Sequence, residues 1–314
     1  MTAPLPYPMK LVPRLLEKPW GGRRIETVLH RRLAVEGPVG ESWEVFDRDG
    51  ASSEIANGPL AGRLLADLRG PAPFPLLFKL LDATETLSVQ VHPDAAAAAK
   101  LGGEAKTECW FVLHAEPGAR VWRGLRDGCS EQDFVAALRR NDVESCLHSF
   151  EVRPGDTIFV PAGTVHSIGA GVLLAEVQQN SDTTFRLYDW GRPRELHVRQ
   201  AVQSIHFGPR SPDKVPAQVL EDEGTFRREL LVSCRHFAAE CFVAMGTFTL
   251  ELTPAPAPFQ VLHVLSGTAE LRTFRRGVAP VAVAQGDTVL LPGEYDSYEL
   301  DPGTTVLRAL VIRG

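Results

Sequence analysis

The chain states one pattern twice. The stretch "GDTIFVPAGTVHSIG" starts at Gly155, and "GDTVLLPGEYDSYEL" starts at Gly286. Each reads Gly-Asp-Thr, three apolar residues and Pro, followed by Gly or Ala-Gly. A second pair lies upstream, "WFVLHAEPGA" from Trp110 and "FQVLHVLSGT" from Phe259, both with Val-Leu-His and a Gly where a turn belongs. From Gly118 to Gly155 is 37 residues, and from Gly267 to Gly286 is 19. The excess in the first copy is about the length of the run at 130–150. Most of the remaining sequence alternates short β-branched or aromatic runs with Gly, Pro and Asp, which is the signature of all-β folds. A β unit that occurs twice predicts a mainly β chain with two tandem jelly-roll barrels, a few short helices lying in or beside the first. The division expected is a catalytic domain at 1–215 and a second domain, without a metal site, at 216–314.

Three stretches read as helix. "PDAAAAAKLGG" has Asp94 placed to cap an alanine helix and Gly102 placed to end it. "SEQDFVAALRRNDVESCLHSF" opens on Ser130 or Glu131 as a cap signal and carries helix-type spacing at Phe134, Ala137 and Leu138. "GPLAGRLLADLRG" at 58–70 is a shorter candidate. The net charge of -6 offers no basic footprint, which argues against nucleic acid or anionic membranes as partners. The five cysteines (Cys109, Cys129, Cys146, Cys234, Cys241) are scattered without a CxxC pair, which predicts core residues rather than disulfides or a zinc ribbon. No apolar run is long enough for a signal peptide or a bilayer span, so the expected location is the cytoplasm. No protein partner is evident.

The chemistry gathers in the first copy. In "LSVQVHPD" (87–94), Ser88, Gln90 and His92 share one face of a strand, because successive side chains alternate. In "KTECWF", Lys106, Glu108 and Trp110 share a face against Thr107, Cys109 and Phe111. His166 closes the set from the Gly-Asp-Thr motif. Two His and one Glu drawn from separate strands form a donor set that catalytic zinc favours, and Gln90 could add a neutral oxygen. Each histidine taken alone is more simply a satisfied core or surface residue. The second copy has Ser297 at the position of His166 and, when Trp110 is matched to Phe259, Ala257 at the position of Glu108. Lys79 lies in the apolar run "PFPLLFKLLDA", where burying an ammonium is costly unless it reaches a pocket or a partner. In "NSDTTFRLYDWGR", Asp182, Thr184 and Arg186 share a face. Trp20 in "EKPWGG" suits either stacking on a sugar or packing. A metal beside two lysines and an arginine suits a phosphorylated, hydroxyl-rich substrate.

The Gly155, Pro161, Gly163 and His166 spacing resembles the second motif of the cupin superfamily. "FPLLFKLLDATETLSVQVHPD", "KTECWFVL", "PAGTVHSIGAGVLLAEVQQNSDTTFRLYDWGR", "KPWGG" and "GESWEV" together resemble the type I mannose-6-phosphate isomerases in their short bacterial form. The resemblance runs from about residue 8 to the C-terminus and is densest between 74 and 195. It implies one zinc per chain on His92, Glu108 and His166 with Gln90 as fourth ligand, and Arg186 as the catalytic arginine. Lys106 and Lys79 would line the sugar-phosphate pocket with Ser88, Glu44 and Trp20. It also implies aldose–ketose isomerisation of mannose 6-phosphate and fructose 6-phosphate through an enediol or enediolate. Lys106, with its pKa lowered by the metal and Arg186, is a candidate to move the proton, as is a metal-bound water. After "GESWEV" this chain continues "FDRDG", where the family has a Ser-Ala-His type run, so the rim near Glu44 departs from the pattern.

Three other functions fit parts of this set. A cupin oxygenase using iron on the same ligands would not need Lys79, Lys106 and Arg186 together. A non-catalytic sugar-phosphate-binding regulator predicts a lost ligand or a lost arginine, and the first copy has neither. An isomerase acting on another sugar keeps every residue and differs only in what the cations reach.

Overall fold

The computed structural model describes residues 7–48, 50–68, 72–251, 259–273, 277–292 and 297–311. The chain is mainly β. The first strands are β1 (Met9–Val12), β2 (Arg14–Gly22), β3 (Val39–Val45), β4 (Asp47–Arg48), β5 (Ala51–Ser52) and β6 (Glu54–Ile55). Then come β7 (Leu76–Ala83), β8 (Val89–Val91), β9 (Glu108–Ala115), β10 (Arg120–Leu125), β11 (Leu147–Glu151), β12 (Thr157–Val160), β13 (His166–Ile168), β14 (Val172–Gln179) and β15 (Phe185–Tyr188). The last are β16 (Gln218–Asp222), β17 (Phe226–Ser233), β18 (Phe237–Ala244), β19 (Phe248–Glu251), β20 (Phe259–Ser266), β21 (Thr268–Thr273), β22 (Val281–Ala284), β23 (Thr288–Pro292), β24 (Ser297–Leu300) and β25 (Thr304–Val311). Short helices α1 (Arg24–Leu29), α2 (Leu65–Leu68), α3 (Ala95–Leu101), α4 (Glu131–Arg139) and α5 (Val198–Ser204) punctuate them. No helix among the described residues is long and apolar enough to cross a membrane.

The repeat seen in the sequence is a repeat of topology. One sheet of the first unit runs β12-β9-β14-β7-β3-β2, and the second unit contains β23-β20-β25-β18-β17-β16 in the same relative order. Opposite them lie β11-β10-β13-β8-β15 and β22-β21-β24-β19. The sheet orders are open, so each unit is a pair of facing sheets. Trp110, Val112 and Leu174 pack against Val121 and Ile168 inside the first unit, and Phe242, Leu262 and Val306 against Phe248, Leu271 and Leu300 inside the second. The outer face of the first six-stranded sheet carries Phe78, Leu80, Leu173 and Ala175. These join Val261, Leu290, Leu307 and Ala309 of the second unit in one apolar cluster. Alternation thus gives these strands two buried faces, and the units are joined through a core rather than a wet contact. One strand crosses the expected division at 215/216, because β1 pairs with β23 (Met9 opposite Leu290) in the second unit's sheet.

The pairing also corrects the alignment of the copies. Thr157 pairs with Phe111, and Thr288 with His263, so Phe111 corresponds to His263 and Glu108 to Gln260. The match of Trp110 to Phe259 fails on parity: Trp110 lies inside its unit, whereas Phe259 belongs to the cluster between units. Ala257 itself lies outside the described residues. Ser297 keeps its place, opening β24 as His166 opens β13. Inside the second unit Arg308 stands opposite Glu240 in the ladder, as Glu176 stands opposite Lys79 in the first. Arg308 donates to Glu240 Oε2 (Nε, 3.0 Å) and to Gln260 Oε1 (2.9 Å) and lies 4.6 Å from the Phe242 ring centre. An ion pair of reversed polarity therefore occupies the interior where the first unit has its polar site.

Two of the three expected helices form, the second only over Glu131–Arg139, since Val143–Cys146 is a 3-10 turn and Leu147–Glu151 is strand β11. Asp94 caps α3 by accepting from Ala97 N, with Gly102 at its C-terminus, and Ser130 with Asp133 forms a capping box on α4. The stretch 58–70 does not form one helix. Pro59 and the left-handed Gly62 (φ +81°) leave a 3-10 turn at Gly58–Leu60 and the single turn α2. All five cysteines are free, and Cys109, Cys146 and Cys241 are buried.

Candidate metal centre and active site

Three strands deliver the centre. His92 follows β8, Glu108 opens β9 and His166 opens β13, and one potential ligand atom from each lies within 4.8 Å of the others. All three are buried, at 1%, 0% and 1% exposure. Glu108 oxygens lie 3.3 Å from His92 Nε2 and 3.4 Å from His166 Nε2. The backbone sets the tautomers. His92 Nδ1 is 2.8 Å from the Thr183 carbonyl and His166 Nδ1 is 2.9 Å from the Thr164 carbonyl. Each Nδ1–H donates there, which leaves both Nε2 lone pairs aimed at the centre. Burial depresses both imidazoles: Lys106 adds to the effect at His92, and His166 falls to about 3 despite the opposing pull of Glu108. Glu108 receives no well-formed hydrogen bond, and its only cationic neighbour among the described residues is the Lys106 ammonium, 2.8 Å from one oxygen. A buried carboxylate left this way beside two neutral imidazoles fits a divalent cation. Gln90, opposite His166 in the ladder, presents its amide nitrogen 3.2 Å from His166 Nε2. Its oxygen accepts from Ser88 at 3.3 Å and would reach the centre after a half-turn of the amide.

Beside the centre opens a polar cavity of about 330 Å³ whose lining includes Lys106, Gln90, Ser88, Lys79, Trp20 and Arg186. Lys106 Nζ is 2.8 Å from Glu108, 3.2 Å from His92 Nε2 and 3.7 Å from Glu176. Burial pulls its pKa down, but Glu108 and Glu176 outweigh that and, in the metal-free protein, hold the ammonium above its ordinary range. Lys79 is buried as its apolar run requires. Its ammonium lies 4.8 Å from the Trp43 ring centre, 3.5 Å from Glu41 and 3.4 Å from Asp182. Arg186 donates from Nε to Ser88 Oγ (3.2 Å) and from one terminal nitrogen to the Glu195 carbonyl (2.8 Å). Trp20 both packs in the core and lines the cavity, so its two readings do not compete. Gly40 makes room for it: a Cβ there would meet Lys18 Cβ at 2.6 Å and the Trp20 ring at 2.8 Å. That close approach ties "KPWGG" to "GESWEV".

Glu44 is not in the cavity. Strand parity sends Ser42 and Glu44 of β3 to the face toward the second unit, where Glu44 accepts from Arg31, Ser42 and Thr288. The glutamate of β3 that lines the cavity is Glu41. Burial would raise its pKa, yet Lys79 and Lys18 hold it down at about 2. Glu176, also unforeseen, accepts from Trp110 Nε1 at 3.0 Å, and burial together with Glu108 pushes it up to about 7. Its sequence signal is the one that exposed Lys79, a charge inside an apolar run ("GVLLAEVQQ"). Lys18 and Arg194 complete the cationic wall.

The model of the type I phosphomannose isomerase catalytic domain matches residues 9–108. The chain is 32% identical over 311 residues to the mannose-6-phosphate isomerase of Streptococcus mutans, covering 94% of this chain and 95% of that one. A crystal structure of the mannose 6-phosphate isomerase from Bacillus subtilis matches with a TM-score of 0.85 at 28% identity, over 97% of this chain and 99% of that one. A zinc-bound mannose 6-phosphate isomerase shares the fold at a TM-score of 0.75 and 16% identity, over 98% of this chain and 100% of that one. With similarity of this extent along nearly the whole chain, the protein belongs to the type I phosphomannose isomerase family.

Proposed function

We propose that the protein interconverts mannose 6-phosphate and fructose 6-phosphate, with His92, Glu108 and His166 holding zinc and Gln90 as the neutral fourth ligand. The buried His-Glu-His set beside a cation-rich cavity is the observation that carries the reading. Zinc bound there supplies Lewis-acid stabilisation of negative charge developing on substrate oxygens. Isomerisation through an enediol or enediolate moves a proton between C2 and C1. Arg186, fixed by Ser88 and the Glu195 carbonyl, directs its remaining donors at the developing oxyanion. Lys106 holds a proton on Nζ that it can deliver to a substrate oxygen, and Glu176 beside it can take one up. Lys79, with Glu41 and Asp182 on either side, orients the sugar phosphate, and Ser88 and Trp20 bound the sugar. The same reading makes the two units a tandem cupin pair in a cytoplasmic enzyme of carbohydrate metabolism, with a small sugar phosphate as its partner.

The test is formation of ketose phosphate from mannose 6-phosphate by the purified protein, before chelation, after it, and with zinc restored. Activity is expected to disappear and return. Absence of turnover in protein shown to contain zinc would overturn the reading in favour of another sugar or a non-catalytic regulator.

A further inference from the structure

The floor of the cavity is held from behind by the second unit. On β3, Glu41 and Trp43 face the cavity side, while Ser42 and Glu44 face the opposite way. Glu44, 1% exposed, accepts from Ser42 Oγ (2.6 Å), Arg31 (2.8 Å) and Thr288 Oγ1 (2.8 Å). Arg31 also donates to Ser42 Oγ (2.7 Å) and to the Gly286 carbonyl (3.1 Å). Because the Thr288 hydroxyl gives its proton to Glu44, it accepts from His263 Nδ1 at 2.9 Å. Thr288 and Gly286 belong to the second Gly-Asp-Thr repeat, so the copy lacking the His-Glu-His set supplies one of the three donors to this buried carboxylate and accepts from a second, Arg31.

The β3–β7 ladder changes register between Trp43 and Val45, which makes Glu44 the residue of a bulge. Bulges re-aim neighbouring side chains and are common beside active sites. Immediately before it, Trp43 stands opposite Lys79, and its indole N–H donates to Glu41 at 2.8 Å. Lys79 lies over that indole and beside that carboxylate. Lys79 and Glu41 of the cavity are thus both in contact with a tryptophan whose strand is pinned one residue later by Glu44.

We propose that Thr288 is a positioning residue for the substrate cavity: by holding Glu44 in the bulge of β3 it sets the placement of Trp43, Glu41 and Lys79. The claim about substrate affinity rests on the isomerase reading, whereas the claim about placement does not. Thr288→Val keeps the shape and removes the hydroxyl, and Thr288→Ser keeps the hydroxyl. Three quantities are read on each variant: KM for mannose 6-phosphate, bound zinc, and the indole 1H–15N resonance of Trp43. In Thr288→Val, KM should rise about three- to tenfold, zinc should be retained and the Trp43 resonance should move. Thr288→Ser should resemble wild type. A folded Thr288→Val with unchanged KM and an unmoved Trp43 resonance overturns the proposal, even if its stability is lower, and so does a Thr288→Ser as impaired as the valine. Should the valine variant not fold, Ser42→Ala cuts the same carboxylate from the Arg31 side and is read by the same measurements. Wild-type protein without turnover sinks the isomerase reading, and the Trp43 resonance alone then decides the placement.

Discussion

Glu108 carries more of the site than any other residue, because it is a buried carboxylate between two imidazole lone pairs and an ammonium. Glu108→Gln keeps its volume and removes its charge. The expected outcome is a loss of zinc affinity of about 100-fold or more, with turnover lost in parallel, checked by metal analysis of dialysed protein. Much of this centre is legible at the scale of single residues, since period-two alternation alone aligns Gln90 with His92 and Lys106 with Glu108. The same rule would have chosen correctly between Glu41 and Glu44 had the direction of β3 been known. Parity says which residues share a face, and only packing says which face is the cavity.

At the scale of elements, the close approach of β2 and β3 is the feature most open to attack. Gly40→Ala places a methyl against Lys18 Cβ and the Trp20 ring. Overpacking of this kind costs about 1–3 kcal/mol, and here the displaced side chains are cavity residues. The expected result is a lower urea midpoint together with a raised KM for mannose 6-phosphate. Capped helices were legible because their signals are local, as Asp94 and Ser130 show. The helix expected at 58–70 failed for a local reason too, since Gly62 takes a left-handed conformation that ends a helical run. The register between copies was not legible. Val-Leu-His occurs in both, but the ladder pairs His263 with Thr288 as it pairs Phe111 with Thr157, so His263 matches Phe111 and not His114.

For the whole molecule, the polar link through Thr288 and His263 predicts a pH dependence. Burial lowers His263 from 6.5 to about 4, with Glu44 opposing. Below about pH 6.5 the unfolded chain binds a proton that the folded protein refuses, so stability present at neutral pH is lost as the pH falls toward about 4. The loss from this residue is at most about 3 kcal/mol. Glu41 adds a loss of the same sign at lower pH, between 4.5 and about 2. Urea unfolding of metal-free protein at pH 7.5 and pH 5 should show the decline, to which the depressed His92 and His166 add with the same sign, and His263→Asn, which keeps a donor for Thr288, should make it shallower. An equal slope in the variant would remove His263 as a source.

By itself the sequence determined what repetition and alternation can encode: a mainly β chain with a repeated unit, the capped helices, the residues sharing a face in the first copy, and the family those motifs resemble. These are local or periodic properties, carried by each segment without its neighbours. Tertiary structure alone decided which glutamate of β3 enters the cavity, that Glu176 joins Lys106, that Arg308 and Glu240 fill the second interior, and that Thr288 reaches Glu44 across the joint between units. Each of these depends on a contact between residues far apart in the chain, where the burial of one group is settled by the charge or shape of another.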